Sequence, residues 1–148
     1  LLFKSIVYTT SLIVPKMQKN KWGRIINVTS VSVKEPLNYL VLSNSIRSAV
    51  VAWAKSLSVD VGKDGVTVNS ILTGYFDTER IKELNKEKSK SLNISENEVL
   101  EKMKSLVPLN RLGKTEEYGY LVSFLSSDKA AYINGASIPI DGGLLRSY

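Results

Sequence analysis

At 148 residues the chain has the length of one domain, and 43% hydrophobic with 23% charged residues is the composition of a globular protein with a core. It contains neither cysteine nor histidine, which excludes disulfides, thiolate chemistry, a Ser-His-Asp triad and most zinc sites, so no metal site is expected. No apolar run reaches the roughly 20 residues that span a bilayer, and no signal peptide opens the sequence. We therefore expect a cytoplasmic protein.

The net charge of +6 permits binding to nucleic acid or to an acidic surface. The lysines alternate with glutamates, however, except in one short cluster formed by Lys16, Lys19, Lys21 and Arg24. Cations at the end of a helix also stabilise its dipole. We favour this structural interpretation of the cluster and predict neither a nucleic-acid partner nor a membrane partner.

The first third of the chain predicts a helix, a strand and a second helix. Apolar residues at helical intervals predict a helix from residue 1 to about 19, although Pro15 lies near its end. A β-branched run after Gly23 predicts a strand that is covered on both faces, as in a parallel sheet. From about Ser43 to Gly62 the period changes to three and four, with a buried stripe of Ile46, Val50, Trp53 and Leu57.

A second buried strand is predicted from Val66 to Leu72, and a polar, charged segment follows at about 75–106. Within that segment we expect helices at 79–88 and 96–106. Thr78 is the expected cap of the first, and Ser95 with Glu98 forms a capping box for the second. Such an excursion is usually a lid or a binding loop.

The last third predicts a helix from Thr115 to Leu125 and a third strand from Ala136 to Ile140, closed by Asp141, Gly142 and Gly143. Strands that alternate with helices require crossover connections and a parallel sheet with helices packed on it. The sequence therefore predicts an α/β domain that includes all of residues 1–148.

The sequence contains, in this order, the stretches GRIINVTS, VTVNSILTG and PLNRLGKTEEYGYLVSFLSSDKAAYINGASIPIDGG. Together they resemble the short-chain dehydrogenase/reductase family. The last resembles 3-oxoacyl-carrier-protein reductases. The resemblance implies a Rossmann-type doubly wound parallel sheet and hydride transfer between NAD or NADP and a small-molecule carbonyl or alcohol substrate. It also implies a homodimer or homotetramer, paired through a four-helix bundle of the helices at 1–19 and 43–62.

The resemblance covers only the C-terminal half of that family. In the family, the Gly-rich phosphate loop, the residue that binds the adenine ribose and the Asn-Ala-Gly strand lie upstream of the first helix. The sequence also begins without Met, inside an apolar periodic stretch. We therefore expect the 148 residues to be part of a longer protein.

The resemblance places the family's catalytic serine at Ser30. Counting on without gaps places Ser43 where the family has its proton-transferring tyrosine, and Arg47 where it has the lysine that holds the ribose. An aliphatic alcohol is a far weaker acid than a phenol of pKa ~10, and a guanidinium does not release its proton in a protein. Arg47 can therefore position a ligand but cannot shuttle a proton. Tyr39 is the nearest phenol, and a packing role at the helix entry is favoured for it.

Further family contacts fall on Thr73, Gly74 and Thr78. Thr73 stands where the family has proline before Gly74, and Thr78 matches a residue that hydrogen-bonds the nicotinamide, although it would serve equally as a helix cap. Arg47 completes the expected cofactor contacts. For Asn69 and Asp141 we expect structural roles in the core and in a tight turn.

Two functions follow from this pattern. The first is an NAD(P)-dependent oxidoreductase that uses Ser30 and an atypical proton donor. The alternative is a catalytically degenerate relative that keeps the fold as a cofactor-binding or scaffolding subunit.

Overall fold

The computed structural model describes residues 2–38 and 40–147, which form five α-helices and three β-strands. The chain order is α1 (Leu2–Lys19), β1 (Gly23–Val28), α2 (Val41–Gly62), β2 (Val66–Thr73), α3 (Glu79–Leu92), α4 (Glu96–Ser105), α5 (Thr115–Ser126) and β3 (Ser137–Ile140). Short 3-10 turns occupy Val31–Val33 and Asp128–Ala130. The predicted order of helices and strands is confirmed, and α1 continues through Pro15.

The three strands form one parallel sheet in the order β1-β2-β3. The central strand, β2, is buried from Val66 to Leu72, as its short run rich in β-branched residues predicts for a strand covered on both faces. Parallel pairing brings the carboxyl ends of all three strands to one edge of the sheet.

Helices pack on both faces of β1, as its sequence predicts: Ile25 contacts the cluster formed with α1 and α2, and Ile26 contacts the cluster formed with α5. The strand is nevertheless less deeply buried than β2. Most of β1 is only half-buried, and the side chain of Val28 is 59% exposed. The physical reason is position: β1 pairs only with β2 among the described residues, so it is an edge strand here. Its apolar sequence does not distinguish an edge strand from a central one.

Helices cover both faces of the sheet, which confirms the doubly wound α/β class. On one face Val66 and Val68 pack against α1 and α2, through Val14, Ala54 and Val61. On the other face Ile71 packs against Leu125 of α5 and Ala130. The two sets alternate along β2 because successive strand residues point to opposite faces.

Two residues of the predicted stripe of α2, Trp53 and Leu57, pack against the first of these cores. Val50 is buried, and Trp53 and Leu57 are half-buried against the cluster. The Trp53 ring also meets Phe3 of α1 edge to face, with ring centroids 6.4 Å apart. Among the described residues, no helix is long and apolar enough to cross a membrane.

The segment between β2 and α5 folds as two capped helices that pack on each other. The Thr78 hydroxyl accepts from the Ile81 amide at the start of α3. The predicted capping box of α4 is complete: Ser95 Oγ accepts from the Glu98 amide, and Glu98 Oε2 accepts from the Ser95 amide. Both predicted caps are therefore confirmed, because each depends only on residues three apart.

Candidate active site

Ser30 lies just beyond the carboxyl end of β1. The preceding residue, Thr29, ties the strand end to β2, because its amide and its hydroxyl both donate to the Ile71 carbonyl at 2.9 Å. Ser30 is extended, and its Oγ accepts from the Ser32 amide at 3.1 Å to begin the 3-10 turn. An oxygen that accepts one hydrogen bond still has its own O–H to donate, so the Ser30 hydroxyl can donate to a bound carbonyl.

Ser43 and Arg47 lie one turn apart near the start of α2, and the Arg47 Nε donates to the Ser43 Oγ at 3.3 Å. The 3-10 turn that begins at Ser30 packs against the same helix. Both side chains are half-buried, and Arg47 forms no salt bridge with any carboxylate of residues 2–38 and 40–147. Its remaining N–H groups are therefore available to a ligand.

Asn44, next to Ser43, fixes the entry to α2. Its side-chain Nδ2 donates to the Leu37 carbonyl at 2.9 Å, and its backbone N–H donates to the Leu40 carbonyl at 2.8 Å. Ser43 is thus held at a defined position although the preceding loop is polar. Tyr39, the nearest phenol in sequence, lies outside the described residues.

Thr73 and Gly74 end β2 at the same edge of the sheet. The Thr73 hydroxyl shares a hydrogen bond of 3.1 Å with the hydroxyl of Tyr118 on α5. A Cβ at position 74 would lie 2.6 Å from the backbone of Asp141, so this position requires glycine where β2 and the end of β3 approach each other. Thr78 lies further on, as the cap of α3.

Asn69 and Asp141 have the structural roles that the sequence predicts. The Asn69 side chain bonds the Ile133 carbonyl and the Ala136 amide. The Asp141 carboxylate accepts from the amides of Gly143 and Leu145. Both side chains therefore fix the backbone that flanks β3.

Sequence reasoning missed Tyr75, which follows Gly74 and lines two cavities of about 210 Å³ each. One cavity adjoins Val31, which follows Ser30, and Leu106 at the end of α4; the other adjoins the loop before α5. Burial raises the pKa of the Tyr75 phenol, so it stays protonated at neutral pH. The only sequence signal was an aromatic residue directly after a strand-ending glycine.

An ion pair holds the loop that leads into α5. Arg111 donates from both terminal nitrogens to the Glu117 carboxylate, each at 2.7 Å, which is the bidentate geometry of a strong pair. Hydrogen bonding from Arg111, with a second from the Lys114 amide, lowers the pKa of Glu117 from 4.5 to about 2. This pair shapes the wall of the second cavity, which both residues line.

A doubly wound parallel sheet with polar side chains at the carboxyl ends of its strands is the arrangement of Rossmann-type proteins, which bind ligands at that edge. Comparison with known proteins defines the group more narrowly. The family model described as enoyl-(acyl carrier protein) reductase matches residues 2–145. The chain therefore belongs to the short-chain dehydrogenase/reductase family.

Several relatives in this family are named reductases. The chain is 32% identical over 131 residues to the NADPH-dependent reductase BacG of Bacillus subtilis, a match that covers 88% of this chain and 51% of that protein. It is 33% identical over 135 residues to the 3-oxoacyl-[acyl-carrier-protein] reductase FabG of Pseudomonas aeruginosa, over 88% of this chain and 49% of that one. The chain thus spans about half the length of these curated relatives.

Solved structures agree with this assignment. The crystal structure of YwfH, described as an NADPH-dependent reductase involved in bacilysin biosynthesis, superposes with a TM-score of 0.90 at 28% identity, covering 97% of this chain and 55% of that one. L-sorbose reductase from Gluconobacter frateurii superposes with a TM-score of 0.88 at 28% identity, covering 96% of this chain and 54% of that one. The expected family and fold are confirmed.

Proposed function

We propose that this chain is part of an NAD(P)-dependent oxidoreductase that transfers hydride between a nicotinamide and a small carbonyl or alcohol substrate. The observation that carries the proposal is the placement of the Ser30 hydroxyl at the carboxyl end of β1, in a turn packed on the helix that holds Ser43 and Arg47. Two of the relatives, BacG and FabG, are named reductases, which supports the same reaction class.

The proposed roles follow from the chemistry of each group. A bound nicotinamide would supply the hydride to the carbonyl carbon, and the carbonyl oxygen would then need a proton. The Ser30 O–H would donate a hydrogen bond to that oxygen as negative charge develops on it. Ser43, at the position of the family's tyrosine, is too weak an acid to replace a phenol. The proton would therefore come from another donor or from water.

Arg47 fits a role in holding the cofactor, together with Thr73, Gly74 and Thr78. Its guanidinium forms no salt bridge within the described residues, and a hydrogen bond to Ser43 holds it at the helix start. Its free N–H groups can donate to ribose hydroxyls. Titration of the whole protein with NADH and with NADPH, monitored by nicotinamide fluorescence, tests this role and distinguishes the two cofactors.

The alternative is a catalytically degenerate subunit. It is favoured only because Ser43 and Arg47 stand where the family has its tyrosine and lysine. The double variant Ser43→Tyr, Arg47→Lys separates it from the enzyme. If the proposed positions are right, the variant reduces carbonyl substrates faster than the wild type, because a tunable phenol then lies beside a cation. The matched variant Ser123→Tyr, Ser126→Lys changes two exposed positions of α5 and should leave the rate unchanged.

Three results would contradict the proposal. An unchanged rate in the Ser43→Tyr, Arg47→Lys variant would show that the reacting atoms do not lie at these positions. A wild-type protein that binds neither nicotinamide and reduces no carbonyl would favour the scaffolding alternative. A wild-type protein that binds a nicotinamide and gains activity only in the double variant would be a degenerate member of the family.

We also propose a cytoplasmic homodimer or homotetramer that pairs through α1 and α2. Both helices expose apolar side chains: Tyr8 and Leu12 on α1 are 63% and 65% exposed, and Val59 on α2 is 74% exposed. Apolar patches of this kind are typical of protein interfaces. Light scattering of Leu12→Glu should show smaller particles than the wild type, whereas the control Leu92→Glu, at the end of α3, should not. An unchanged mass for Leu12→Glu would contradict pairing through α1.

A further inference from the structure

Two carboxylates hold the segment from Asp141 to Ser147 by its backbone. The first, Asp141 itself, accepts from the amides of Gly143 at 2.9 Å and Leu145 at 2.8 Å. The second comes from the other end of the sequence: Glu35 Oε1 accepts from the amides of Arg146 and Ser147, each at 2.8 Å. More than 100 residues separate the partners of this second contact.

Glu35 belongs to the compact turn that starts at Ser30. The Val31 carbonyl accepts from the amides of Lys34, at 3.0 Å, and of Glu35, at 3.2 Å, and the Ser30 Oγ accepts from the Ser32 amide. The backbone of Glu35 is therefore fixed relative to Ser30 by successive hydrogen bonds. Any segment that binds the Glu35 carboxylate is fixed relative to Ser30 as well.

The bound segment forms one wall of the cavity that Val31, the residue after Ser30, also lines. That cavity of about 210 Å³ has a largely apolar lining, to which the turn, the end of α4 and the C-terminal segment all contribute. Its apolar residues are Val31, Leu37, Leu106, Leu144 and Leu145. Release of the segment would remove two of these five side chains and open the cavity further to solvent.

We propose that Glu35 is a positioning residue: it holds the C-terminal segment on the turn that begins at Ser30, so that Leu144 and Leu145 close an apolar cavity for the substrate. The anchoring itself stands on the contacts above, whereas the role of the cavity rests on the proposed function. The substrate that fits is a carbonyl compound with an apolar group beside the reacting carbon. Hydrogen bonds from the Ser147 and Arg146 amides also lower the pKa of Glu35, so the carboxylate is ionised when it binds them.

Hydrogen exchange of individual amides tests the anchoring without any assay of activity. In the wild type, the amides of Arg146 and Ser147 should exchange at least about tenfold more slowly than in an unstructured peptide, because each donates to a charged acceptor. In Glu35→Ala both amides should lose that protection, and the turn at residues 31–35 should exchange faster. Glu35→Gln keeps an acceptor oxygen and should retain part of the protection.

The matched control is Glu116→Ala, which removes the same charge from an exposed position on α5. Unprotected amides at Arg146 and Ser147 in the wild type would overturn the proposal, and this measurement needs no variant to fold. Equal exchange in Glu35→Ala and Glu116→Ala would overturn it as well.

Kinetics then test the consequence for the substrate. Glu35→Ala should raise KM for ketones with an apolar substituent by about tenfold and leave the affinity for the nicotinamide unchanged, with partial recovery in Glu35→Gln. If the wild type reduces no carbonyl, the proposed function fails while the exchange result still decides the anchoring. If KM is unchanged although the amides lose protection, the segment is anchored by Glu35 but is not a wall of the substrate site.

Discussion

The two ends of the sheet use polar side chains in different ways. At the amino end, charged groups are bound to other parts of the fold. Arg24, whose side chain is only 6% exposed, donates to the carbonyls of Gly23 and Gly65 and pairs with Asp128. Lys21 and Gln18 both bind the carboxylate of Asp64. These contacts join the amino ends of the strands to the neighbouring turns.

At the carboxyl end of the sheet, the candidate site residues have hydrogen-bond donors that the fold does not use. Ser30 accepts from one amide, and Arg47 donates to one hydroxyl. Charge concentrated in a sequence is therefore a poor guide to function here. Two members of the basic cluster are bound within the fold, and Lys16 and Lys19 lie in the last turn of α1, where cations stabilise a helix. The candidate chemistry depends on hydroxyl groups, which are uncharged and therefore do not show in the charge pattern of the sequence.

The largest effect should come from the carboxyl end. Ser30→Ala removes the proposed donor to the reacting oxygen and should lower kcat by about 10²–10³-fold, as for the loss of one hydrogen-bond donor to a developing oxyanion. The thermal midpoint should change little in comparison. Ser56→Ala, an exposed serine that bonds only to its own helix, should retain full activity. A variant at Ser30 that reduces substrate at the wild-type rate would exclude this serine from the reaction.

A smaller loss is expected for Arg47→Ala. Without its donors to the ribose, the affinity for the nicotinamide should fall by about 10–100-fold, the value of a hydrogen bond to a charged group. Fluorescence titration measures this change, and Arg80→Ala on the exposed face of α3 is the control. Unchanged affinity would show that Arg47 serves only to hold Ser43.

Arg24→Met tests the amino end of the sheet and should lower stability without lowering kcat. The substitution removes the hydrogen bonds that the Arg24 side chain donates to the backbone carbonyls of Gly23, Gly65 and Ser127. It should reduce the free energy of unfolding by about 1–3 kcal/mol, measured by urea denaturation. The kcat of the folded variant should equal that of the wild type. A change in kcat without a change in stability would show that the two ends are coupled.

The smallest effect concerns pH. The hydrogen bonds from Lys21 and then Gln18 lower the pKa of Asp64 below its ordinary value of 3.8. A carboxylate with a lowered folded pKa contributes stability above the ordinary value, and that stability is lost as the pH falls through the folded pKa. Urea midpoints of Lys21→Ala should therefore lie slightly below those of the wild type near neutral pH. The gap should narrow in acid, and a constant gap would show that Asp64 does not contribute through its charge.

Local patterns predicted the parts of the fold that depend on neighbours in sequence. The capping box of α4 and the buried run of β2 need only a few adjacent residues. The exposure of Val28 and the contact from Glu35 to Arg146 depend on which segments meet in space, which a single sequence does not encode locally. Tyr75 was missed for a related reason: the segment after β2 was interpreted by its polarity, whereas the residue that matters is an aromatic one at its start.

The C-terminal segment is recognised by its main chain, and this determines which substitutions it can accept. The amides of Leu145, Arg146 and Ser147 supply the hydrogen bonds, and every amino acid except proline has that N–H group. The path of the segment can therefore persist while its side chains diverge. An enzyme built in this way could change the shape of its cavity at positions 144 and 145 without redesigning the support beneath them.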